Sequence, residues 1–129
     1  MMTTPFWCLL IVMVMPLVLA GVGGFLRNKQ LGNLDNANPR EQIKELSGPG
    51  ARAYAAQQNA WEALALFTAA VLVAHITGAD PATSANLAMA FVGFRVLHAI
   101  CYISGLATIR SLMFMGGIVC IVWLFILGA

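Results

Sequence analysis

Residues 5–26 read PFWCLLIVMVMPLVLAGVGGFL, twenty-two positions without one formal charge. A helix needs roughly 20 apolar residues to cross a 30 Å hydrocarbon core, and this stretch meets that length unaided. Further apolar runs follow at about 50–76, 85–104 and 109–128. The second is polar in its first half and apolar in its second. A membrane β-barrel would show alternating segments of about ten residues, and none occurs here. Helices are the remaining way to satisfy backbone polar groups in lipid. The expected fold is all-α: an integral membrane four-helix bundle in a single domain over residues 1–129. Pro16 falls inside the first helix, where membrane helices tolerate it as a kink.

Composition agrees with that reading. The chain is 60% hydrophobic and 9% charged, with a mean hydropathy of +0.84. A soluble domain carries about 25% charged residues. Seven basic and five acidic residues are too few to cover a water-soluble surface of this size. A soluble globular enzyme, a disordered tail and a collagen-like fibre are therefore excluded. A net charge of +2 is too mild for a nucleic-acid footprint, which needs clustered basic residues. The first run also departs from a cleaved signal peptide, because no Lys or Arg precedes Arg27 and its apolar stretch exceeds the usual length. Cys8, Cys101 and Cys120 stand inside apolar runs at unrelated spacing, with only His75 and His98 to join them. Free structural thiols and no metal site are expected.

The connections differ in character. Residues 27–50, which include LGNLDNANPREQIKELSGPG, are expected to form a polar loop. Within it residues 39–46 suit one or two helical turns, with Pro39 opening them and Gly48 as the stop. A second connection at 77–84 holds Asp80 and Pro81 without a cation, and a tight turn at Ser104-Gly105-Leu106 forms the third. Arg27, Lys29, Arg40, Lys44 and Arg52 gather around the first loop and Arg110 beside the third. Because cations concentrate on the cytoplasmic side, loops one and three are expected there, with loop two and both termini outside. In a bacterium this is an inner-membrane protein.

Ionisable groups at membrane depth are costly and normally face the bundle interior with a partner. Arg52, Asn59 and Glu62 lie within roughly 80° of one another around a helix turning 100° per residue. Arg95, His98 and Tyr102 likewise share one face of the third helix, and Arg110 opens the fourth. At a rise of 1.5 Å per residue, Glu62 and Arg95 come to similar depths. A buried Glu62–Arg95 ion pair is expected. Three arginines outnumber the one acid of this set, and an arginine does not shed its charge, so the excess points to an anionic ligand. Arg52 and Arg110, near helix ends, also suit snorkelling to headgroups. Asn59 suits interhelical bonding, Tyr102 an interfacial anchor, and His98 the orientation of a neighbour. Trp61 and Tyr54 point away from the Arg52–Glu62 face. The small residues Gly21, Gly23, Gly24, Ala65, Ala69, Gly93, Gly116 and Gly117 allow close helix approach.

The run Arg52-Ala-Tyr-Ala-Ala-Gln-Gln-Asn59-Ala-Trp-Glu62, followed by Phe67, resembles the second-helix signature of the MAPEG family, the membrane-associated proteins of eicosanoid and glutathione metabolism. Phe94-Arg95-Val-Leu-His98-Ala-Ile-Cys-Tyr102 resembles its third-helix pattern. Ile109-Arg110-Ser111, with Phe114 and Gly117, resembles the opening of its fourth helix. Asp35-Asn36-Ala37-Asn38-Pro39-Arg40-Glu41 is similar to the loop of bacterial members. The resemblance covers almost the whole chain, with the motifs in order.

It implies a homotrimer that binds glutathione between subunits and runs transferase or peroxidase chemistry on lipophilic electrophiles drawn from the membrane. By the same resemblance Arg52, Asn59, Glu62, Arg95, His98 and Tyr102 would bind glutathione as cosubstrate. Arg110, with Ser111 beside it, would stabilise the thiolate. Glu41 stands where one prostaglandin-synthase member carries a functional acid. The partners implied are a second and third copy of the chain, membrane lipid and a lipophilic small molecule. Two positions depart from the glutathione-binding pattern: Ala55, where such members carry an arginine, and Gly105-Leu106-Ala107, which lacks one. They favour an alternative in which the same fold binds an anionic lipid or another thiol without glutathione chemistry. A small drug exporter would need an acid in its first helix, which residues 5–26 lack. A purely structural subunit rests on the small-residue packing alone.

Overall fold

Prolines stand in the first turn of four helices: α1 (Thr4–Leu31), α2 (Pro39–Ile43), α3 (Gly48–Ile76) and α4 (Pro81–Ser104). A first-turn proline costs no hydrogen bond, and its fixed φ suits the helix. The fifth helix, α5 (Ala107–Leu127), follows the turn at Gly105. The structure is a computed structural model describing residues 1–129. Four helices are long and apolar enough to cross a membrane, and they form an antiparallel bundle without strands.

The helix limits differ from the apolar limits where polar residues still favour helix. α1 runs past residue 26 to Leu31 through Arg27 and Lys29, and stops at Gly32, whose φ is +79°. Arginine and lysine are good helix formers, so lipid exposure ends before the helix does. α4 begins at Pro81 rather than near 85, because Asp80 caps it. Its carboxylate accepts from the Thr83 hydroxyl at 2.6 Å and the Thr83 amide at 2.8 Å. Those bonds hold the Asp80 carboxyl below the usual carboxylate range, the hydroxyl first and then the backbone N–H. Gly48 does not stop the short loop helix. α2 ends at Ile43, three turn bonds carry the chain to Leu46, and Gly48, at φ +56°, opens α3.

The polar loop is organised by Gln42, which is buried. Its Nε2 donates to the Asn33 carbonyl at 3.0 Å, and its Oε1 accepts from the Asp35 amide at 2.9 Å. The Asp35 carboxylate accepts from the Asn38 and Ala37 amides, which hold its carboxyl below the ordinary range.

α1 packs most extensively on α3, and α4 on α5. α3 turns Ala53, Ala56, Ala60, Ala63, Phe67, Ala70 and Ala74 inward at spacings of three, four and seven. Such a narrow face admits close neighbours, which is how helices gain packing where lipid removes the hydrophobic drive. Phe67 stacks on Phe91 with centroids 4.1 Å apart, inside a core that also holds Val12, Val71 and Leu124. Large apolar side chains such as Trp7, Val18, Phe25, Leu112 and Ile126 face outward. Cys8, Cys101 and Cys120 are free and buried.

The small residues divide into two groups. A Cβ at Gly116 would lie 2.5 Å from Phe94, and one at Gly117 3.4 Å from Phe91, so this pair sets the α4–α5 approach. Gly21, Gly23, Gly24 and Gly93 have open space where a Cβ would stand, and Ala65 and Ala69 are exposed. These permit no close contact within the protomer.

Candidate functional site

Arg95 is the buried cation of the bundle, with 3% of its surface exposed. Its guanidinium reaches across from α4 to α3 and donates from Nη2 to Asn59 Oδ1 at 2.7 Å. Asn59 Nδ2 in turn donates to Glu62 Oε2 at 3.3 Å. Arg95 and Glu62 therefore form no direct ion pair. The single ion pair of the chain is Lys44 with Glu41, at 2.7 Å on the surface of the loop. Register explains the correction. Arg95 stands about 13 Å from the end of α4, Asn59 about 16 Å from the start of α3, and Glu62 about 21 Å. The guanidinium meets the amide first, and the amide relays the polarity one turn deeper.

Glu62 ends this relay at the surface of the protomer. It is exposed, and it lies midway along α3, fourteen residues from either end. Asn59, Glu62, Phe91, Arg95, Phe114 and Gly117 line a cleft of about 90 Å3 between α3, α4 and α5. Gly117 lies beside the aliphatic stem of Arg95, its Cβ position 3.9 Å from Arg95 Cδ.

A second group lies toward the Gly105 turn. His98, 3% exposed, packs edge-on against Tyr102 with centroids 5.5 Å apart. The Arg110 guanidinium sits 4.5 Å above the Tyr102 ring, a cation–π contact. His98 Nδ1 is buried without a hydrogen-bond partner. Phe114 joins the groups: its ring is 6.2 Å from that of His98, and it also lines the Arg95 cleft. Phe114 belonged to the motif on α5, but an aromatic at helical spacing carries no sign of which groups it will bridge.

Arg52 and Ser111 are committed locally. Arg52 Nε donates to the Ile103 carbonyl at 2.9 Å, and its guanidinium packs beside Gly105. An arginine from one helix thus satisfies an otherwise unpaired carbonyl at the end of another. Ser111 Oγ donates to the Ala107 carbonyl of its own helix at 3.1 Å. Glu41, exposed and paired with Lys44, belongs to neither group. Trp61 faces outward. Tyr54 lines a separate recess of about 180 Å3 with Arg27 and Gln57. Arg27 had counted only as a loop-flanking cation; here it donates from Nη1 to the Pro39 carbonyl at 3.3 Å, while its Nε is buried without a partner.

The arrangement offers three guanidinium groups, a carboxylate reached through an amide, and rings between them. That chemistry suits a ligand carrying both carboxylates and an ammonium group. The chain supplies a polar wall, but a 90 Å3 cleft is well below the roughly 300–1,000 Å3 of small-molecule sites. A search of the curated proteins finds no match. The MAPEG family profile matches residues 4–129, which takes in every residue of both groups. With four apolar helices, the Arg95–Asn59–Glu62 relay and a match of that extent, this chain is an integral membrane protein belonging to the MAPEG family.

Proposed function

We propose that the protein is a homotrimeric, glutathione-dependent transferase or peroxidase acting on lipophilic electrophiles at the subunit boundary. One observation carries this reading: Glu62 is exposed at mid-helix, at the end of a hydrogen-bonded relay from a buried arginine. A carboxylate facing hydrocarbon at that depth is strongly unfavourable. Covering it with a second copy of the chain removes the cost and enlarges the 90 Å3 cleft toward peptide size. Glu62 would accept hydrogen bonds from an ammonium group. Arg95 and Arg52 would hold carboxylates, the latter through the guanidinium nitrogens that Ile103 leaves free. Arg110, held over Tyr102, would face the sulfur, where a cation favours the thiolate. His98 and Tyr102 would hold that group in place, and Ser111 would offer its hydroxyl if released from Ala107. Glutathione supplies the thiolate nucleophile; the lipid phase delivers the electrophile along the helices. The arginine-rich end is cytoplasmic on this reading, since Arg27, Lys29, Arg40, Lys44, Arg52 and Arg110 all gather there. The membrane is the inner membrane of a bacterium.

An anionic lipid or another thiol is the second reading. Ala55 and Gly105-Leu106-Ala107 lack the arginines of glutathione-binding members, and Arg52 is already partly engaged by Ile103.

Calorimetry of glutathione binding to the detergent-solubilised protein separates the two. Binding weakened by both Arg110→Ala and Glu62→Gln is the expected result. No binding at millimolar glutathione would reject the enzyme reading in favour of the lipid. If binding holds, Arg110→Ala lowers turnover with a model electrophile about 100-fold or more while the oligomer stays intact; retained turnover would remove Arg110 from the chemistry.

A further inference from the structure

The opposite end of the bundle holds a larger cavity, of about 540 Å3, open to the surface of the bundle. It lies between the start of α1, the end of α3, the start of α4 and the last turns of α5. We infer that this cavity binds a small neutral lipophile carrying a hydroxyl group, such as a phenol or a medium-chain alcohol.

Ser84 is the first reason. It is 6% exposed, it lines the cavity, and its hydroxyl has no hydrogen-bond partner. Three other hydroxyls in or at the end of the helices behave differently. Thr68 donates to the Leu64 carbonyl at 2.7 Å, Thr77 to Val73 at 2.8 Å and Ser111 to Ala107 at 3.1 Å, each one turn back on its own helix. That back-bond is the ordinary fate of a serine or threonine inside a helix. At Ser84 the carbonyl one turn back, that of Asp80, takes only the backbone N–H. A buried hydroxyl without a partner is unfavourable; the Oγ has no free surface in its present rotamer, and on a turn about χ1 toward the cavity a ligand hydroxyl relieves it as donor or acceptor.

The rest of the lining sets the class of ligand. Thr3, Thr4 and His75 add hydroxyls and an imidazole, while Phe6, Val71 and Leu124 form apolar walls. Phe6 holds the His75 ring edge-on at 4.8 Å. No Lys, Arg, Asp or Glu lines the cavity. The nearest acid in sequence, Asp80, is engaged by Thr83. His75 is the one ionisable side chain of the lining, so the chemistry favours a neutral occupant over a charged one. Val71 and Ser84 lie within about 8 Å of their helix ends, which limits it to a short chain or a single ring. The site stands apart from the arginine groups and does not depend on the glutathione reading.

The probe is 3-azioctanol, a photoactivatable eight-carbon alcohol, used on the detergent-solubilised protein with adducts mapped by mass spectrometry. The expected adducts concentrate in residues 2–6 and 71–85, and excess octanol suppresses them while octanoate does not. Ser84→Ala, which removes only the hydroxyl, should lower labelling about fivefold, the weight of one hydrogen bond. Ala85→Leu, at a half-buried wall position, should abolish it by bulk. Arg110→Ala should leave it unchanged. Adducts spread along the lipid-facing helices, indifferent to octanol and to both cavity variants, would overturn the proposal and leave a water-filled recess. Suppression by octanoate equal to that by octanol would overturn the neutral-ligand assignment.

Discussion

The two ends of this bundle solve the same problem in opposite ways. At the Gly105 end charged groups enter the interior and are linked into chains: Arg95 to Asn59 to Glu62, Arg52 to Ile103, and Arg110 to Tyr102. At the end carrying both termini no charge lines the interior, and polarity is carried by hydroxyls and His75 around a cavity six times the volume of the Arg95 cleft. Charges in a low-dielectric interior must be partnered closely, so they draw walls together. Neutral hydroxyls tolerate a looser enclosure, because a single unmet bond costs far less than an unmet charge. Space inside the protomer is thus left at the end where no charge demands filling.

The strongest test of that contrast is Asn59→Leu. It leaves the Arg95 guanidinium without its 2.7 Å partner, and a buried charge that loses its partner costs about 3 kcal/mol. Unfolding in mixed micelles should report that loss, whereas Glu62→Gln, one bond further along, should cost less. A double-mutant cycle sharpens the point: coupling of Arg95 with Asn59 should exceed that of Arg95 with Glu62. Equal couplings would mean that the charges act directly rather than through the amide.

Gly116→Ala comes next. Its Cβ would meet the Phe94 ring at 2.5 Å, one residue before Arg95. Overpacking of this kind costs about 2 kcal/mol, visible as a lower melting temperature of the solubilised protein. Gly105→Ala should cost about 1 kcal/mol, because the φ of +79° is unfavourable for a side chain. Arg52 should be unmoved, since its Cζ would lie in ordinary contact, 3.5 Å from the new Cβ. A stability unchanged by this substitution would show that the α4–α5 turn has another accessible conformation.

The smallest effect belongs to the uncharged end. Asp80→Asn weakens the cap of α4, and the Thr83 amide should then exchange faster with solvent. The folded Asp80 carboxyl is held below its ordinary range, so its stabilisation is full above the unfolded value of about 3.9 and disappears as pH falls through the folded value. The difference between wild type and variant should shrink over that acid window. A difference that persists below it would come from packing rather than from the carboxylate.

What the chain carries in its order of residues is the membrane, the number of spanning helices and the motifs of the MAPEG family. Uncharged runs of spanning length admit one kind of backbone, and helical spacing groups Arg52 with Glu62 and Arg95 with Tyr102 onto shared faces whatever the neighbours do. Which side chain meets which across two helices is a different matter. It depends on the relative height of α3 and α4, and a shift of one turn moved the partner of Arg95 from Glu62 to Asn59. The same limit hid the Arg52–Ile103 bond, since no side-chain pattern marks a backbone carbonyl as unpaired. It hid the cavity at Ser84 as well, because four helix ends must be assembled before the space between them exists. Periodicity along one helix is local and legible in sequence; height and separation between helices arise only when all of them pack.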